Sequence, residues 1–221
     1  MTKEIVKSKK DGSLIVISGP TSAGKGTICA ELLKMHKELY ASVSVTTREP
    51  RVGEKEGKDY FFISKEDFQK KIDEDAFLEY AQVHRDHYYG TPRDIIEKKL
   101  NDGIDVILEI EIQGAVQINN KMPNAIFIFI MPPDMKTLIS RLKKRGTETK
   151  EKMIERIKTA YQEINEISTY NYVVVNDELE EAVKKVDSII ISEKCRVDRI
   201  EAIDLDNKEE ILHDMLMDNE Y

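Results

Sequence analysis

The chain is short of three things, each of which would have directed it to a different function. Cysteine is scarce: Cys29 and Cys195 lie far apart, with no CxxC or Cys/His cluster around either, which removes a disulfide framework and a thiolate metal site. Both read as reduced thiols of a cytosolic protein. A long uncharged apolar run is also missing. Residues Met1 to Lys10 carry basic side chains but no hydrophobic stretch of the signal-peptide kind, and no later segment offers the roughly 20 apolar residues that span a bilayer. The expectation is an unexported, cytoplasmic protein without membrane contact. Positive charge is in deficit, with a formal net charge of -8 over 221 residues. That balance speaks against a general nucleic-acid surface and confines any anion site to a local arrangement. The histidines His36, His84, His87 and His213 have no metal-ligand spacing, and the chain holds no internal repeat or low-complexity tract.

What is present is the composition of a solvated globule, 40% hydrophobic and 34% charged, long enough to bury one core. Near-continuous apolar runs at Leu14–Ser18, Asp105–Ile110, Ala125–Ile130 and Tyr172–Val175 predict strands covered on both faces. Helical stretches between them predict an α/β fold with a central parallel sheet and helices on both sides, a three-layer arrangement. Ser64-Lys65-Glu66-Asp67 has the form of a capping box, and Asn101-Asp102-Gly103 ends a helix that begins near Pro92. Between Thr149 and Ile167 the residues Met153, Ile157, Ala160, Ile164 and Ile167 make a core stripe, and Arg156 lies off it. The segment 43–90, with more Gly, Tyr and Arg, reads as a small mixed insert, and 193–221 as an acid-rich C-terminal extension of one or two helices.

The sharpest local signal follows the first strong strand: Gly19-Pro20-Thr21-Ser22-Ala23-Gly24-Lys25-Gly26-Thr27, leading into a helical run. Glycines let consecutive N–H groups curl around one anion, the helix N-terminus adds partial positive charge, and Lys25 supplies a full charge to the outer phosphates of an NTP. The pattern usually has Ser or Thr directly after the lysine to ligate magnesium, and here that residue is Gly26. Thr27 is then the candidate metal ligand, the alternative being an ion held by phosphate oxygens and water.

The stretch Ser42–Phe62, with Thr46-Thr47-Arg48-Glu49-Pro50-Arg51-Val52-Gly53-Glu54, resembles the signature of the guanylate kinase family. The resemblance continues through Phe77–Ala81, Tyr88–Thr91, Leu108–Gly114, Pro132-Pro133, Arg145-Gly146-Thr147 and Val175-Asn176-Asp177, and so covers about 13–192. It implies a P-loop kinase fold with a GMP-binding insert over 43–90 and a mobile lid over about 141–165, residues 1–12 standing outside as an N-terminal extension. It implies that Arg48, Arg51, Tyr60 and Tyr89 hold the phosphate of GMP, and that Ser44, Glu79, Thr91 and Glu111 hold the base. Chemistry agrees: planar Arg forks and phenols suit a phosphate dianion, and an ionised Glu79 accepts from the N1–H and amino group that guanine presents side by side, while Ser44 and Thr91 can donate to O6. Adenine lacks that donor pair, which favours GMP over AMP. Glu111 stands where the family usually has Asp.

For the donor side the resemblance implies that Arg141, Arg145 and Arg156 belong to the lid and reach the phosphates of ATP, with Arg141, Asn176 and Asp177 near adenine. The implied reaction is in-line transfer of the γ-phosphoryl group from ATP to GMP, with Lys25, Arg48, Arg145, Arg156 and Mg2+ neutralising the migrating group. Two alternatives stand beside it: a non-catalytic guanylate kinase-like interaction domain, and a nucleoside monophosphate kinase of other base specificity, which the Gly26-Thr27 pair would also suit. Monomer or homo-oligomer, and tolerance of dGMP, are left open.

Overall fold

A computed structural model describes residues 6–8, 11–83, 87–144, 150–165 and 167–203. The elements in chain order begin with β1 (Val6–Ser8), β2 (Leu14–Ser18), α1 (Lys25–Met35), β3 (Tyr40–Ala41), β4 (Val45–Thr46), β5 (Phe61–Phe62) and α2 (Lys65–Asp73). Then come β6 (Phe77–Val83), β7 (His87–Pro92), α3 (Arg93–Asn101), β8 (Val106–Glu109), α4 (Ile112–Lys121) and β9 (Ile126–Met131). The chain continues through α5 (Met135–Lys144), α6 (Lys150–Asn165), β10 (Tyr172–Val175), α7 (Leu179–Lys194) and β11 (Ile200–Ile203).

Five strands form the central sheet in the order β10-β9-β2-β8-β3, and every neighbouring pair is parallel. Alternation along the strands divides the core into two layers. Ile15, Ile17, Ile126, Ile128 and Ile130 point to the side of α1 and α7, where Ile28, Leu32, Val186 and Ile190 meet them. Leu14, Val16, Leu108 and Phe127 point to the other side, against Ile96 and Leu100 of α3 and Ile118 of α4. The expectation of cover on both faces fails at β10: as an edge strand it leaves Val173 and Val175 exposed while Val174 is buried.

A second sheet, in the order β5-β4-β7-β6, is mixed: β4 and β5 run parallel, while β7 is antiparallel to both β4 and β6. Its small core is aromatic, with Phe68 of α2 stacked on Phe77 at 4.6 Å. Ser64 caps α2 by accepting the Asp67 N–H at 3.0 Å, as the capping box predicts, and α3 stops before Gly103 in the left-handed region. α5 and α6 share a third cluster of Leu138, Leu142, Ala160 and Ile157.

The helical expectation for 193–221 is corrected as far as the described residues go, to 203. α7 runs on to Lys194, and after a 3-10 turn at Val197–Arg199 the chain forms β11, antiparallel to β1. A strand whose partner lies at the opposite end of the chain leaves no local periodicity to read. Arg199 fastens this region to the central sheet, donating to Ser13 Oγ and to the Asn124 carbonyl. Buried Glu193 accepts from the Tyr172 hydroxyl and pairs with Arg196 and Arg199.

Candidate active site

The loop Gly19–Gly24 joins the C-terminal end of β2 to the N-terminus of α1, the crevice position where open parallel sheets bind ligands. Two of its glycines are required sterically. At Gly19, φ is +139° and an added Cβ would stand 2.1 Å from the Ile130 carbonyl oxygen; at Gly24, φ is +99° and a Cβ would meet the Asn176 side-chain nitrogen at 2.2 Å. Lys25 is buried, its ammonium donating to the carbonyls of Gly19 at 2.6 Å and Pro20 at 3.3 Å. The Ser22 hydroxyl is buried without a hydrogen bond, and Thr27 is exposed on the first turn of α1.

Three residues expected on the donor side gather around this loop. Asn176 Nδ2 donates to the Ala23 carbonyl at 2.7 Å, and Arg141 donates to the Asn176 carbonyl at 3.0 Å. Arg156, off the apolar stripe of α6 as its spacing predicts, donates to Thr21 Oγ1 at 3.0 Å. Asp177 is exposed beyond Asn176. Arg145 lies outside the described residues.

Several residues expected at the acceptor come together on the mixed sheet. Register places Glu79 of β6 opposite Thr91 of β7, and the Thr91 hydroxyl donates to Glu79 Oε1 at 2.6 Å. Thr91 was expected to donate to guanine O6; in this structure its proton is committed to the carboxylate, which leaves its lone pairs to face a ligand. Glu79 is only 5% exposed, and burial pushes its pKa up to about 7, with the nearby Glu111 charge adding to the rise and Thr91 and Lys121 opposing it. Gly114 of α4 makes room for it, since a Cβ there would stand 2.4 Å from Glu79 Oε2. Gln117, also on α4, holds the same strand through both backbone groups of Tyr80. Glu111 is exposed at the N-cap of α4.

The residues expected to hold the acceptor phosphate cluster around Arg48. Its Nε donates to the Tyr89 hydroxyl at 3.2 Å, its Nη2 to Glu54 at 2.9 Å, and the guanidinium lies 5.4 Å from the Tyr60 ring centroid. Tyr60 meets Tyr89 edge-on at 5.8 Å. Arg51 is exposed, and Ser44 is half-buried next to β4.

Glu109, left without a role by the sequence, stands between the two halves. It ends β8 beside β2, and its Oε2 is 3.1 Å from where a Cβ at Gly26 would be. Its charge also bears on the Cys29 thiol behind the loop and on the Tyr60 phenol, helping raise both above their ordinary values. Its position at a strand's C-terminal end, next to the phosphate loop, was the signal that could have found it.

The family model described as guanylate kinase matches residues 11–193. A guanylate kinase of Caldanaerobacter subterraneus is 56% identical over 202 residues, 91% of this chain and 98% of that protein. One from Clostridium perfringens is 52% identical over 218 residues, 99% of this chain and 100% of that protein. Among solved structures, guanylate kinase from Anaplasma phagocytophilum superposes with a TM-score of 0.72 at 32% identity, over 95% of this chain and 97% of that one. With the phosphate loop, the mixed sheet and helices α5 and α6 all within the matched span, the chain belongs to the guanylate kinase family.

Proposed function

We propose that this chain transfers the γ-phosphoryl group of ATP to GMP, giving ADP and GDP, by direct in-line displacement in the cytoplasm. The observation that carries the proposal is the pairing, in a chain of the guanylate kinase family, of a phosphate loop that holds buried Lys25 with a mixed sheet that holds Arg48 against Tyr89 and Glu79 against Thr91. A transfer between two nucleotides requires one such place for each.

The acceptor oxygen of GMP is already anionic, so no general base is needed. The protein's task is to bring two polyanions together and compensate the charge that develops on the transferred group. Lys25 and the loop N–H groups hold the donor phosphates, with Arg141 and Asn176 toward adenine. Arg156, next to Thr21, reaches the same phosphates from α6, and Arg145 is assigned there by family resemblance. Arg48, Arg51, Tyr60 and Tyr89 hold the acceptor phosphate. Glu79 accepts from guanine N1–H and the amino group, Ser44 donates to O6, and Glu111 flanks the base. Thr91, its own proton given to Glu79, is an acceptor for the amino group.

Magnesium fits the donor set. Glycine at 26 lets a carboxylate oxygen of Glu109 come close to the loop, and hard oxygen donors with water suit this ion. Glu109 and Thr27 would hold the ion's shell beside the phosphates, and when bound it would neutralise charge between the β- and γ-phosphoryl groups. Closure of the insert and the lid helices over both nucleotides would exclude water as a competing acceptor. Compaction in solution scattering with both nucleotides present is expected, and closure is abandoned if it does not occur.

The test is ADP release with ATP and magnesium, offering GMP, AMP, CMP and UMP separately, with Lys25→Ala alongside. Turnover with GMP alone, lost in the variant, supports the proposal. Turnover with another nucleotide overturns the base assignment, and none with any acceptor moves the chain to the interaction-domain class.

A further inference from the structure

An acid stands where the acceptor-site assignment puts a phosphate dianion. Glu54 Oε1 accepts from Arg48 Nη2 at 2.9 Å, and Glu54 Oε2 accepts the backbone N–H of Arg51 at 2.7 Å. The side chains of the pair are 10% and 19% exposed, so this is no solvated surface contact. Just after Arg51 the chain turns back on itself, with the Glu54 N–H donating to the Arg51 carbonyl at 3.0 Å and Gly53 in the left-handed region at φ +93°. One carboxylate thus touches both arginines, one through its side chain and the other through its backbone.

Electrostatics alone makes this placement unfavourable for function, because a negative charge in contact with Arg48 weakens its attraction for an incoming anion. Geometry supplies the compensation. An arginine side chain has many rotamers, and ordering it at the moment of binding costs affinity, whereas one already held loses little. Arg48 has five N–H donors; one goes to Tyr89, one to the Glu49 carbonyl at 2.7 Å and one to Glu54. That leaves one N–H on each terminal nitrogen, a paired fork of the kind that suits two phosphate oxygens. The Tyr60 ring near the guanidinium limits its tilt.

We propose that Glu54 is a positioning residue for the acceptor phosphate, setting the Arg48 fork with one oxygen and the Arg51 turn with the other before GMP arrives. This rests on the assignment of this site to GMP. The gain in orientation outweighs the added negative charge, and the effect is confined to the phosphate end of the ligand. A glutamine at 54 can satisfy only one of the two donors, because its amide nitrogen would face an N–H.

The test compares wild type, Glu54→Gln and Glu54→Ala by calorimetric titration with GMP and with guanosine, which lacks the phosphate. The expected result is about a tenfold loss of GMP affinity in Glu54→Ala, the size of effect that ordering one rotamer-rich side chain on binding produces. Glu54→Gln should be intermediate, and guanosine affinity the same in all three. In steady-state turnover the KM for GMP should rise in the same order, with the KM for ATP unchanged. Unchanged GMP affinity in both variants, with wild type binding and turning over GMP, overturns the inference and leaves the acceptor assignment standing. Tighter GMP binding in Glu54→Gln overturns it too, making Glu54 a competitor of the phosphate. Equal losses for guanosine and GMP would show a general collapse of the insert. Wild type that binds no GMP removes the acceptor assignment, and the inference with it.

Discussion

The donor and acceptor halves of the site solve similar problems with different materials. The proposed donor half is built around a contiguous loop, Gly19 to Gly24, between the buried strand β2 and α1, which would meet phosphate largely with backbone N–H groups fixed by the fold. The proposed acceptor half draws mainly on a four-stranded sheet with a small aromatic core, with Glu111 at the N-cap of α4. The groups assigned to the ligand there are side chains, and two of them are held by other side chains: Thr91 by Glu79, and Arg48 by Tyr89 and Glu54. A backbone cradle tolerates much change nearby as long as its glycines remain. A side-chain constellation is open to disruption at every supporting residue.

The comparison is broken most directly at Lys25. Lys25→Ala should reduce kcat by about a thousandfold, the loss associated with removing one preorganised transition-state charge, while GMP affinity stays near wild type. Next in size is Gly114→Ala, remote from the donor half. Its methyl would stand 2.4 Å from Glu79 Oε2, so the carboxylate must move; the KM for GMP is expected to rise by about a hundredfold with the KM for ATP unchanged. Equal effects on both substrates would show that the two halves are not independently supported.

Glu79 sharpens the comparison through pH. Its free-protein pKa of about 7 means that guanine, which needs the ionised form, must drive off a proton below that pH. GMP affinity should therefore fall by about tenfold per unit as pH drops well below 7, with ATP affinity flat. The stability consequence has the opposite sense. Because the folded value is raised above the ordinary 4.5, the folded state binds the extra proton between 4.5 and 7, and this group's contribution is lost as pH rises through that window. Glu79→Gln should melt a few degrees higher than wild type at pH 8, the difference shrinking below pH 5, while GMP recognition is lost; thermal melts across pH check it.

Arg156→Ala tests whether α6 serves the donor half alone. A loss of about tenfold to a hundredfold in kcat is expected, with the KM for GMP unchanged. The smallest effect is outside both halves. His36 at the end of α1 meets Asp187 of α7 at 2.6 Å, and that hydrogen bond raises the imidazole pKa. The contribution is present below the ordinary histidine value and is lost as pH rises through the raised one. Asp187→Ala should lower the melting temperature by about a degree or two at pH 6 and less at pH 9, with kinetics unaffected.

Four of the five strands of the central sheet, the phosphate loop, the caps of α2 and α3 and the outward position of Arg156 were legible in the sequence, whereas the two-residue edge strand β3 was not. Each depends on residues a few positions apart, where apolar period, turn chemistry and capping act. The same locality explains the misses. β1 and β11 are short strands from opposite ends of the chain that, among the described residues, pair with each other alone, so neither has a local signature. The exposure of Val173 and Val175 depends on β10 being an edge, which is a property of strand order.

The sequence by itself determined the family, the parallel α/β core and the identity of the groups assigned to the two nucleotides, because those depend on residue type and order. Tertiary structure alone decided how the groups are used. Burial raised the pKa of Glu79, register gave it the Thr91 proton, and close packing against Gly114 fixed its place. The ends of neighbouring strands brought Glu109 to the phosphate loop, and a turn folded Glu54 onto Arg48. Dielectric environment, hydrogen-bond partner and the distance between charges are properties of the folded surroundings, and none of them is carried by the identity of a residue.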